Sequence, residues 1–158
     1  MKRPSISIVG PGKVGTALAR LAAAAGYSVN AIGGRDATQA SAAATSVGDQ
    51  TRALSVEEAA AASELVILAV PVGALKRLGR RVLEAGLAGG ACITDVGSVK
   101  VHPHESLGKD MKDRSVSFIG SHPMAGSERT GFEAADADLF IGAPCILTNE
   151  NEQPEDEV

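Results

Sequence analysis

One of the chain's three histidines, His122, stands directly before a proline in "GSHPMAGSE". Pro123 disfavours the helical region for the residue ahead of it and so helps hold His122 extended. An unperturbed imidazole titrates near pH ~6.5, which suits a group that takes a proton from an alcohol while hydride leaves the carbinol carbon. Ser98, in "TDVGSVK", follows another predicted strand and would emerge on the same side as His122. The hydride needs an acceptor, and "GPGKVG" has the spacing to hold a dinucleotide. Gly10 permits a tight turn, Gly12 lets a pyrophosphate approach the backbone, and Gly15 lets helix pack closely on strand. Pro11, Lys13 and Val14 complete that loop.

The bare glycine pattern is weak in a chain with 18 glycines; its place between an apolar run and a helical one makes it informative. "SISIV" precedes it, and Val14, Leu18 and Leu21 follow at helical spacing until Gly26. "YSVNAI" predicts a second strand and "DATQASAAATSVG" a helix, with Asp36 and Gln39 at capping-box spacing, as are Ser55 and Glu58 after a weak strand near "TRAL". "ELVILAVP" is a strand ended by Pro71, and "GALKRLGRRVLEAG" a helix. "ACITDV", "VSFIG" and "PCILT" are further strands. Strands separated by helices imply an α/β fold: a doubly wound, mostly parallel, Rossmann-like sheet in a single domain, with ligands at the carboxyl ends of its strands. The turn at Val70 and Pro71, Gly97, Ser98 and His122 all fall at such ends.

The end of the second strand bears on the choice of dinucleotide. "AIGGRD" puts Gly34 where an NAD-binding domain carries a carboxylate for the ribose, with Arg35 next. A guanidinium without that carboxylate favours a 2′-phosphate, hence NADP over NAD. The rival ribose acceptor, Asp36, already has a capping role.

Composition sets the remaining bounds. The 158 residues carry a formal charge of −4, and the last ten hold five of the 19 acidic side chains. The body is therefore near neutral and lacks the basic face that nucleic acid demands. No apolar run approaches the length of a membrane span, and no signal peptide is evident, so a cytoplasmic location is expected. Cys92 and Cys145 sit in short apolar runs and read as free core thiols. His102 and His104 read as surface residues, and no spacing supports a metal. Lys76, Arg77, Arg80 and Arg81 read as the wet face of a helix. Lys100 can meet a phosphate, a substrate carboxylate or solvent, and Ser98 can cap a helix opening at Val99.

Together, "DVGSVK", "FIGSHPMAGSERTGFEAADADLF" and "PCILT", behind "IVGPGKVG" and "LAVPV", resemble the nucleotide-binding domain of prephenate and arogenate dehydrogenases over nearly all of residues 5–148. The segment around His122 is the specific part. The resemblance implies oxidative decarboxylation of a cyclohexadienol, prephenate or arogenate, in tyrosine biosynthesis. On the matching motif His122 takes the substrate hydroxyl's proton, Ser98 hydrogen-bonds that hydroxyl, and Glu128 stands at the mouth of the site. Members of that family continue into a helical domain that builds a homodimer and binds the substrate carboxylate. Here a dinucleotide-binding domain (1–148) is followed by an acidic, disordered tail (149–158), so a fragment, or a short relative that acts on another substrate or borrows a partner's surface, is expected. A non-catalytic dinucleotide-binding module and a small NADP-dependent imine or ketoacid reductase are the alternative readings.

Overall fold

The computed structural model describes residues 3–87, 90–100, 105, 107, 109–114, 116–125 and 135–148. Their order is β1 (Ile6–Val9), α1 (Lys13–Ala24), β2 (Val29–Gly33), α2 (Ala37–Val47), β3 (Arg52–Leu54), α3 (Val56–Ala61), β4 (Leu65–Leu68) and α4 (Val72–Glu84). β5 (Cys92–Asp95), a helical turn (Lys109–Lys112), β6 (Ser117–Pro123), a 3-10 turn (Ala137–Phe140) and β7 (Cys145–Thr148) complete the series. The strands form one seven-stranded sheet in the order β3-β2-β1-β4-β5-β6-β7. All pairs are parallel except β6 with β7. This is the doubly wound Rossmann-like sheet that the alternating pattern predicts. The chain reverses its direction of winding between β3 and β4, which opens a crevice at the carboxyl ends of the strands flanking β1.

The period-two alternation of β1 divides the core between the two faces. Ile6 and Ile8 pack with Ala19, Val29, Ile32, Ala43 and Ala44, the side covered by α1 and α2. Val9 points the other way and joins Val66, Leu68, Ile93 and Phe118 beneath α3 and α4. α4 is anchored there because Leu75, Leu78, Val82 and Leu83 recur at helical spacing and are all buried. With 3% aromatic residues, the interior depends on close aliphatic packing. Gly79 illustrates this: a Cβ there would lie 2.6 Å from Leu107 Cδ1.

Local signals set several element ends. Asp36 caps α2 by accepting from the Gln39 amide at 3.0 Å. Ser55 and Glu58 form the full reciprocal capping box of α3. Gly26, just past α1, has φ +81, the left-handed conformation that ends helices.

Two expectations fail. Cys92, the first residue of β5, is only half-buried, and Cys145 is exposed because β7 is the antiparallel edge strand, which leaves Ile146 and Leu147 exposed as well. An apolar run alone does not distinguish an edge strand from a central one. Among the described residues, Val99 and Lys100 are not helical, so Ser98 caps no helix there.

Candidate active site and cofactor cleft

A cleft of about 380 Å³ opens at the carboxyl ends of β1, β2 and β4. It gathers seven of the residues expected to touch a dinucleotide, Gly10, Pro11, Gly12, Gly34, Arg35, Val70 and Pro71. The glycines differ in what they permit. Gly10 has φ +117, and a Cβ on it would sit 2.2 Å from the Ala69 carbonyl oxygen, so β1 and β4 approach closely only because that side chain is missing. A Cβ on Gly15 would fall 2.1 Å from Gly10 O, which makes this glycine a packing residue between loop and helix. Gly12 instead faces open space, with nothing within 4 Å of a Cβ position. That open face, at the N-terminus of α1, is where an anion can reach backbone amides. Lys13, Val14, Gly15 and Gly97 do not line the cleft.

The two hydrogen-bonding candidates emerge one and two strands further along the same sheet edge. β5 and β6 are parallel neighbours with Asp95 opposite Gly120. Ser98 lies three residues beyond Asp95, exposed in the bend after β5, and His122 lies two residues beyond Gly120, half-buried at the end of β6. Adjacent strands lie about 4.8 Å apart, so a separation of 24 positions in sequence becomes neighbouring strand ends. Glu128, His102 and His104 fall outside the described residues.

A buried network beneath these ends went unrecognised in the sequence. Asp95 is fully buried, and its Oδ2 accepts from Lys100 Nζ at 2.5 Å and from the Gly97 amide at 2.9 Å. Lys100 Nζ also donates to the Ser121 carbonyl at 2.7 Å, and Ser121 Oγ donates to the Asp95 carbonyl at 2.8 Å. Two hydrogen bonds within the segment 95–100 and two across to Ser121 thus tie the bend carrying Ser98 to the residue immediately before His122. Lys100, its side chain 13% exposed, is an internal tie between Asp95 and Ser121. The signal available was a lone carboxylate closing an apolar strand with a lysine five residues later, and it does not specify that the two meet. Asp95 Oδ1 is buried without a partner among the described residues.

The polar face of α4 is also more structured than a solvated helix surface. Arg81 forks onto Glu57 at 2.6 and 3.0 Å, closing the cleft wall between α3 and α4. Hydrogen bonds from Arg81 hold the Glu57 carboxyl below its ordinary value. A depressed folded-state pKa contributes stability above the unfolded value and loses it as pH falls through the folded one. Both side chains are about two-fifths exposed, so solvent screening limits the pair. Glu57→Gln is expected to cost under about 1 kcal/mol at neutral pH, with the difference from the parent vanishing in acid; urea melts at several pH values measure it.

A second hollow, about 320 Å³, lies beside Arg80, Glu84, Asp110 and Arg114. It is charged, contains the Arg80–Asp110 pair at 3.1 Å, and holds none of the motif residues.

Comparison with known proteins adds an independent line. The family described as "Prephenate dehydrogenase, nucleotide-binding domain" matches residues 18–158. The cyclohexadienyl dehydrogenase of Zymomonas mobilis is 31% identical over 151 residues, covering 94% of this chain and 50% of that protein. The crystal structure of Synechocystis arogenate dehydrogenase superposes with a TM-score of 0.78 at 27% identity, over 97% of this chain and 53% of that one. Prephenate dehydrogenase from A. aeolicus, solved with hydroxyphenyl propionate and NAD+, gives a TM-score of 0.78 at 26% identity, over 99% of this chain and 54% of that one. This chain therefore spans about half the length of these relatives. The match over residues 18–158 covers most of the chain, and the chain therefore belongs to the prephenate dehydrogenase nucleotide-binding domain family.

Proposed function

We propose that this chain is the NADP-binding part of a dehydrogenase that oxidatively decarboxylates prephenate or arogenate. The observation that supports this most is the common sheet edge. The open face at Gly12, the bend with Ser98 and the strand end with His122 follow one another along the tips of β1, β5 and β6.

The residues present fit a dinucleotide. Gly12 leaves space for a pyrophosphate against the start of α1, and Val70 and Pro71 form the facing lip of the cleft. NADP is favoured over NAD because Gly34 offers no carboxylate to a ribose, Asp36 is occupied in capping α2, and Arg35 is exposed at the cleft. The A. aeolicus relative was solved with NAD+, a property of that protein. When bound, the nicotinamide supplies the acceptor for the hydride.

The chain's own residues then have separable tasks. His122 takes the proton of the substrate hydroxyl as hydride leaves its carbon and carbon dioxide departs, the ring becoming aromatic. Ser98 hydrogen-bonds the same hydroxyl and aligns it. The Asp95–Lys100 network holds both supports in place, so little reorganisation is needed. Glu128, by the resemblance of its segment to the family's motif, is assigned a role in substrate binding. Residues 1–148 make up the binding domain and 149–158 an acidic tail. Binding of the substrate's carboxylate and dimerisation are assigned to the helical domain that the resemblance implies, and the reaction to the cytoplasm.

The reading is tested by following nicotinamide reduction with prephenate and with arogenate, alongside NADPH titration. Gly12→Ala should lower the melting temperature by no more than about 2–4 °C, because its Cβ meets nothing and only the N-cap preference of α1 is disturbed, yet weaken NADPH binding roughly tenfold or more by obstructing the pyrophosphate. NADPH affinity unchanged in this variant would place the dinucleotide elsewhere and refute the assignment of the cleft.

A further inference from the structure

Three arginines lie on the polar side of α4, and two are already neutralised. Arg80 pairs with Asp110 at 3.1 Å, and Arg81 forks onto Glu57. Arg77 lines the cofactor cleft and has no hydrogen-bond or ion-pair partner among the described residues. Arg35, on the turn after β2, lines the same cleft and is equally unpartnered. The one carboxylate among the cleft's described lining residues, Asp36, is directed at the Gln39 amide and the start of α2.

Two guanidinium groups without partners among the described residues thus face a cleft lined mostly by glycine, proline and aliphatic side chains, with Asp36 turned to its own helix. An anion between them would pair with both. The pyrophosphate is assigned to a different group of donors, the backbone amides at Gly12 and the N-terminus of α1. What remains beside Arg35 is the adenosine end of the dinucleotide. A phosphate monoester there presents three acceptor oxygens, enough for forked contacts from both arginines.

We propose that Arg77 closes on the adenosine 2′-phosphate together with Arg35, so that α4 as well as the turn after β2 determines the preference for NADP. This rests on the NADP reading above and adds a second, separately located determinant. Arg81 contributes indirectly: its fork to Glu57 fixes the wall one turn further along α4, leaving Arg77 as the free cation of that helix face toward the cleft.

The test uses the whole chain, with affinities for NADPH, NADH, adenosine 2′,5′-bisphosphate and AMP measured by calorimetry or nicotinamide fluorescence. Arg77→Met keeps most of the aliphatic stem, and Arg77→Lys keeps the charge but loses the fork; thermal melts confirm that each folds. Arg77→Met is expected to weaken NADPH and the bisphosphate about tenfold or more, while NADH and AMP change less than about twofold. Arg77→Lys should fall between Met and the parent, and the loss should shrink with added salt. Equal weakening of NADPH and NADH would assign Arg77 to the adenine or to the wall and overturn the proposal, as would no change in either. If Arg35→Ala removes the NADPH preference and Arg77→Met does not, the clamp fails while the NADP reading stands. A parent protein that binds NADPH and NADH alike overturns both.

Discussion

Replacing His122 with asparagine should lower kcat for dehydrogenation by about 10²- to 10⁴-fold, the range contributed by a positioned general base, with NADPH affinity unchanged. The separation of effects follows from the geometry. His122 ends β6, where its backbone is paired with Ile146 of β7, and it does not line the cleft that receives the dinucleotide. Asparagine retains a hydrogen-bonding side chain of similar reach but cannot take up a proton. The rate loss should therefore fall on kcat and kcat/KM together. Stopped-flow single turnovers, which isolate the chemical step, make the comparison. A fall of less than about threefold with intact binding would remove His122 from the chemistry and leave the family's dehydrogenation to another group.

Lys100→Met is expected to produce the largest loss of stability, about 3–5 kcal/mol, because it strands the fully buried Asp95 carboxylate. Only the Gly97 amide would remain on Oδ2, and Oδ1 already lacks a partner. For a chain of this size each kcal/mol lowers the melting temperature by about 2–4 °C, so a fall of roughly 6–20 °C should be seen. The double variant Asp95→Asn with Lys100→Met removes both charges and should regain more than half of that loss. The burial makes this pair unlike Arg81–Glu57: the Lys100 and Asp95 side chains are 13% and 1% exposed, against 38% and 41%, so water cannot take over the lost contact. If the single and double variants melt alike, the ammonium is not compensating the carboxylate. The kinetic consequence is a looser Ser98 bend and a shifted Ser121 carbonyl, seen as a lower kcat in whatever fraction remains folded.

Much of this architecture is written in short-range patterns. The helical spacing of Leu75, Leu78 and Val82, the caps at Asp36 and Ser55 and the glycine turn after β1 each involve residues within a few positions of one another. Their physical causes, backbone hydrogen bonding and steric freedom at glycine, operate over that distance. Together with the rule that parallel strands alternate with helices, they place Gly12, Ser98 and His122 at one sheet edge before any coordinates are known.

What only the tertiary structure decided is which side chains meet. Lys100 reaches Ser121 across 21 positions and Arg81 reaches Glu57 across 24, pairings set by strand order and helix packing. The exposure of Cys145 depends on β7 being the edge strand, and the freedom of Arg77 depends on its neighbours finding partners first. Periodicity specifies which face of an element is buried; the charge that a buried or cleft-facing group meets depends on elements brought near it by the whole fold.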